Sequence, residues 1–246
     1  MGRKAASGRD ASVRRGPSPG LRAALFPVAF LLVPAGTALV RALRLLVVLL
    51  PDGPTWLGLP APVGAFVLGA LLFAGAFVAV RLPARAYVAV HEATHALFGL
   101  LGGAKVSRLR VGEEQGSVEV SRPTLLNLLA PYFFPLPCAA VLLLFGLVSL
   151  AVPMAGRPAG AVAALLAGVA WGFHACYTVN ALFQRQTDLE AGGLFFSLVL
   201  VALLNLLFLW AALVALTPAR LGPSLSRLGG LAADSYLWFL DLVCGR

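Results

Sequence analysis

Residues 87–98 read YVAVHEATHALF, an apolar run that holds two of the chain's three histidines together with a glutamate. The run belongs to a chain of 246 residues that is 60% hydrophobic and only 12% charged. An ordinary soluble domain is about 45–50% apolar and about 25% charged, and a soluble protein of this size needs far more charge on its surface. Long apolar stretches recur on both sides of the run, which predicts a polytopic, all-α membrane protein. In that setting His91, Glu92 and His95 demand a reason. A charged side chain at mid-bilayer costs about 2.5–3.5 kcal/mol on insertion scales, so ionisable groups there need partners. A divalent cation is the obvious partner; a salt-bridged structural cluster is the bland alternative.

Outward from this run the chain divides into six apolar segments, at about 23–50, 62–80, 85–102, 124–152, 158–185 and 191–216. About 20 residues cross the hydrocarbon core. The third segment is short, and the fourth carries Pro131, Pro135 and Pro137, which should kink or interrupt it. Residues 104–121, AKVSRLRVGEEQGSVEVS, alternate apolar and polar around Gly112 and Gly116 and predict a β-hairpin. The expected fold is therefore about six membrane helices with a β-hairpin after the histidine-bearing helix. Residues 1–22 are rich in Gly, Ser and Pro and hold six basic residues against Asp10, which reads as a disordered cytoplasmic tail able to touch anionic lipid. The tail has no aromatic residue, so nucleic acid is not an expected partner. Residues 221–246 place Tyr236, Trp238 and Phe239 among leucines and aspartates, the pattern of an interfacial amphipathic helix. Cys138, Cys176 and Cys244 are scattered through apolar surroundings and form no metal or disulfide pattern.

The histidines are four residues apart. On an α-helix that spacing puts both imidazoles on one face, one turn apart. Two such imidazoles can hold one Zn²⁺ at about 2.0–2.1 Å each. Glu92, beside the first, is placed as general base for a water at the metal. Catalytic zinc sites usually have three protein ligands and one open position. Downstream, His174 and Asp188 are the candidates for the third, while Glu190 reads as a solvated acid at the interface. If the chain between His174 and Asp188 is helical, they lie about 21 Å apart. Only one of the two can then bind the ion; the other is a hydrogen-bonded core residue, an outer partner of a ligand, or a solvated side chain.

His91-Glu92-x-x-His95 on a membrane helix, a following hairpin and an aspartate near a later helix end together resemble the site-2 protease family of intramembrane zinc metalloproteases. The resemblance covers roughly residues 85–215. The family's third ligand is the aspartate of an Asn-x-x-Pro-x-x-x-x-Asp-Gly motif. Asn180 precedes Asp188 by that spacing, with Phe183 at the proline position and Leu189 at the glycine position. The resemblance implies that Asp188 is the third ligand and that Asn180 orients or stabilises the reacting carbonyl. It also implies a membrane metalloprotease-like domain over residues 23–220, acting on membrane protein or peptide substrates. The hairpin would hold an unwound substrate as an added strand. A multi-pass integral protein of a bacterial-type cell membrane is the expected setting, with a non-proteolytic, zinc-binding regulatory or chaperone-like relative as the alternative.

Topology carries one conflict. Lys105, Arg108, Arg110 and Arg122 around the hairpin favour its cytoplasmic placement. Counting six crossings from a cytoplasmic N-terminus puts the hairpin outside. One of segments one, three or four must be re-entrant, or the N-terminus must be outside.

Overall fold

The computed structural model describes residues 19–50, 54–56, 58–80, 84–113, 115–151, 158–184 and 186–245. Residues 1–18, most of the expected basic tail, lie outside the described residues; residues 19–22 open the first helix. The chain is mostly helical: α1 (Pro19–Val48), α2 (Ala61–Ala79), α3 (Ala84–Leu101), α4 (Leu125–Phe133), α5 (Leu136–Ala151), α6 (Pro158–Leu182), α7 (Thr187–Ala191), α8 (Leu194–Leu216) and α9 (Leu221–Cys244). Two antiparallel strand pairs interrupt the helices. β1 (Thr55–Trp56) pairs with β2 (Leu59–Pro60), and β3 (Val106–Val111) with β4 (Gly116–Val120).

Four helices are long and apolar enough to cross a membrane, namely α1, α2, α6 and α8, or five spans exist if α4 and α5 are taken as one. This is fewer than the six segments expected from sequence. The difference is α3, which carries Arg85, His91, Glu92 and His95 and is not among them. The surface is apolar in the manner of a bilayer protein, with Leu71, Leu147, Leu198 and many similar side chains exposed.

Close backbone approach fixes the helix directions. α2 and α6 make the most extensive helix contact, and they run parallel. The Phe66 carbonyl faces Gly168 and Ala70 faces Gly172, while the Phe77 and Tyr177 rings meet at 5.0 Å further along. Small residues at such a seam let the helix backbones touch, which is the main source of helix association in lipid. α1 begins where α8 begins: Phe26 and Phe30 pack on Phe195 at 5.2 and 5.1 Å. The second β-pair lies along α3, with Arg85 bound to Glu113 at 3.5 Å near its turn and Gly99 against Val106 and Val120 near its base. α4 then starts with Leu125 against Gly192, just before α8. So α3 and the β3–β4 pair leave the bundle and return to it at the end where α2 and α6 finish.

The prolines act selectively. Pro131 stays inside α4, whereas the chain breaks at Phe134–Pro135 and turns by 75° into α5. Phe134 is extended, with φ −104° and ψ 101°, as a residue before proline prefers. α9 lies antiparallel along α1, tied by Tyr236 Oη to the Leu31 carbonyl at 2.8 Å and by Arg41 to Ser235 at 3.3 Å and Asp234 at 3.7 Å. Its inward face carries Ser224 and Ser235, both buried, while Leu237, Trp238 and Leu242 are exposed.

A Cβ at Gly168 would collide with the Phe66 backbone, which cannot withdraw as a side chain can. Gly168→Val should therefore cost about 1–3 kcal/mol, the usual range for overpacking, and lower the unfolding temperature in detergent. Gly36→Ala, which meets open space, should leave that temperature unchanged.

Candidate metal centre

Three elements bring the site together. α3 supplies His91 and His95, and the short helix α7 supplies Asp188. α4 lies between them and holds both. Ligand atoms of His91, His95 and Asp188 all lie within 4.8 Å of one another, and this group could hold a metal ion. His95 Nε2 and Asp188 Oδ2 are 3.6 Å apart, in a site where both side chains are nearly covered.

Each imidazole is gripped by its other nitrogen. His95 Nδ1 lies 2.9 Å from the main-chain oxygen of Asn127. That oxygen can only accept, so Nδ1 carries a proton, and in the neutral ring Nε2 keeps its lone pair. Pro131 explains why the Asn127 carbonyl is available. It stands four residues on in α4 and has no N–H, so the usual helical donor to that carbonyl is missing. The Asn127 side chain closes the pair by donating to the His95 carbonyl at 2.6 Å. Thr124 caps α4 by accepting from the Asn127 N–H at 3.1 Å, which sets where the helix begins. His91 Nδ1 lies 3.3 Å from Tyr87 Oη, one turn earlier on α3. Its ring meets the edge of Tyr132 at 5.4 Å and of His95 at 4.9 Å.

Asp188 owes its place to α7, which is docked by a fully buried tyrosine. Tyr132 Oη donates to Gln186 Oε1 at 3.1 Å, and Gln186 is the residue that precedes α7. Leu189, buried in the cluster with Leu129, Ala130 and Tyr132, anchors the other face of the short helix. Gly193, at φ +85°, then turns the chain into α8.

Glu92 is buried under the β3–β4 pair. A Cβ at Gly116 would strike the Glu92 side chain and Val88, so only glycine lets strand β4 lie this close to α3. Thr94 bonds back to the Val90 carbonyl at 2.7 Å and has no part in the group.

The two remaining sequence candidates lie elsewhere. His174 is a buried core histidine: its Nε2 is 3.1 Å from Asn205 Oδ1, and Asn205 in turn donates to the Tyr132 carbonyl at 2.9 Å. It is not a member of the metal group. Asn180 is exposed on the last turns of α6, lining an open groove with Phe77, Ala84 and Tyr177. Sequence reasoning missed Asn127, Tyr87, Tyr132 and Gln186. Tyr87 alone had a local signal, since it stands four residues before His91 on the same helical face.

No protein family, curated protein or solved structure matches this chain.

Asp188→Ala should weaken binding of a divalent ion such as cobalt by more than the ~10–100-fold that loss of an outer-shell partner costs. His174→Gln, which can still donate to Asn205, should bind as the unaltered protein does. Equilibrium dialysis on the purified variants measures both.

Proposed function

We propose that the chain is a zinc-dependent endopeptidase that cleaves membrane-embedded or juxtamembrane segments of other proteins, a divergent relative of the site-2 proteases. The carrying observation is the convergence of His91, His95 and Asp188 within 4.8 Å. Two imidazoles and a carboxylate suit zinc, whose tetrahedral ligands sit ~3.3 Å apart for bonds of about 2.0–2.1 Å. The 3.6 Å between His95 Nε2 and Asp188 Oδ2 is close to that spacing. Both Nδ1 atoms are engaged away from the ion, which leaves the Nε2 atoms to bind it. Three protein ligands leave a fourth position for water or a carbonyl.

Zinc at such a site supplies Lewis acidity, lowering the pKa of water towards about 7 and polarising a carbonyl. The protein's own part is proton handling and positioning. Glu92 accepts the proton of the attacking water and passes it to the leaving amine. The main-chain edges of β3–β4 are available to an unwound substrate strand.

The helix directions support a bilayer orientation. Arg22 at the start of α1 and the cluster of Lys105, Arg108, Arg110 and Arg122 around the hairpin belong to the same end of the bundle as Asp188. With that end cytoplasmic, the positive-inside rule is met. The parity conflict disappears, because α3 and the hairpin add no net crossing. The protein is then multi-pass in a bacterial-type cell membrane, with lipid and membrane protein segments as its partners and no role for nucleic acid.

A second reading, a zinc-binding membrane protein without proteolysis, is favoured by one observation. Asn180, the residue that the resemblance assigns to the reacting carbonyl, is exposed on α6 beside a groove.

Glu92→Gln separates the two readings. The variant should keep about one zinc per chain and lose about 10²–10⁴-fold in turnover of a transmembrane reporter substrate in proteoliposomes, the range expected for removing a general base. Unaltered protein that binds zinc but cleaves nothing points to the second reading.

A further inference from the structure

We infer that Tyr87 is a positioning residue that sets the tautomer of His91, and through it the affinity of the site for its ion. This rests on the metal reading of His91, His95 and Asp188. A histidine can bind an ion through Nε2 only when Nε2 holds a lone pair, which for the neutral ring puts the proton on Nδ1. At His95 the main-chain oxygen of Asn127 imposes that state, because it can only accept. At His91 the partner is the Tyr87 hydroxyl at 3.3 Å, which can donate or accept. The state of His91 therefore depends on where the Tyr87 proton points.

One contact bears on that choice. Tyr87 is held flat against Tyr177, with ring centroids 4.7 Å apart and planes 6° from parallel, so its ring has little freedom to swing the hydroxyl away from His91. With Nδ1–H donating to the Tyr87 oxygen, Nε2 of the neutral ring is the free base. The aromatic stack that fixes the hydroxyl spans from α3 to α6, so the setting does not depend on α3 alone.

Tyr87→Phe tests this because it keeps the ring and removes only the hydroxyl. Cobalt and zinc are used as probes on purified full-length protein in detergent. The variant should bind cobalt about 10–100-fold more weakly, the usual cost of losing an outer-shell partner. Its visible cobalt absorption should shift, while its circular dichroism and unfolding temperature match the unaltered protein. Equal affinity and an identical cobalt spectrum in Tyr87→Phe would overturn the inference and leave the metal site standing. Unaltered protein that binds neither ion would remove the metal reading, and this inference with it.

Discussion

The reciprocal pair between His95 and Asn127 is the contact on which the site depends. One bond fixes an imidazole and the other fixes the main chain beside it, at 2.9 and 2.6 Å. Together they dock α4 against α3. In an apolar bundle an unpaired polar group costs several times what it costs at a wet surface. A histidine side chain and a helix carbonyl that lacks its donor are each a liability alone. Here they satisfy one another, and Pro131 creates the vacancy that makes the match possible. Everything downstream follows from where α4 then sits: Tyr132 reaches both His91 and Gln186, Gln186 begins α7, and α7 delivers Asp188.

The same need for satisfaction explains what was legible in the sequence. The spacing of His91 and His95 implies a shared helical face, and they share one. The alternation of Val106 to Val120 implies a strand pair, and residues 106–120 contain one. These are local patterns, in which backbone periodicity alone fixes which side chains meet. Apart from Tyr87, the partners of the histidines were not legible in this way. Asn127 is 32 residues from His95, and Tyr132 is 54 residues from Gln186. Nothing in the local sequence distinguishes them from helix filler. His174 is the converse case. A polar residue in an apolar segment invites a ligand reading, yet Asn205, on a different helix, already engages it.

The candidate spans differ from the apolar segments of the sequence at α3. Counting apolar segments treats each as a crossing, but α3 also carries Arg85, His91, Glu92 and His95, which make it less apolar than α1, α2, α6 and α8, and it is packed in part against protein. Val88, Thr94 and Gly99 are buried against neighbouring elements, and the β3–β4 pair covers one flank along its length. Apolar residues alone do not tell a helix that faces lipid from one that carries a polar site under a strand. The bend at Phe134–Pro135 has the same ambiguity: two short helices at 75° read as one segment in sequence, because proline marks a possible break without saying which of several prolines makes it.

α9 shows how far solvent inverts the usual rules. Its buried face holds Ser224 and Ser235, and its exposed face holds leucines, Trp238 and Val243. In water this would be an inside-out helix. Against lipid there is no gain from hiding leucine, so close approach of small side chains and a few polar contacts decide which face turns inward. Arg41 belongs to that logic. It stands in the apolar helix α1, where a lone guanidinium is costly, and Ser235 and Asp234 of α9 meet it there. The polar side chains of α9 thus have a partner on α1. Both side chains of the Arg41–Asp234 pair stay largely exposed, so it is the closer Ser235 and Tyr236 contacts that seat α9 along α1.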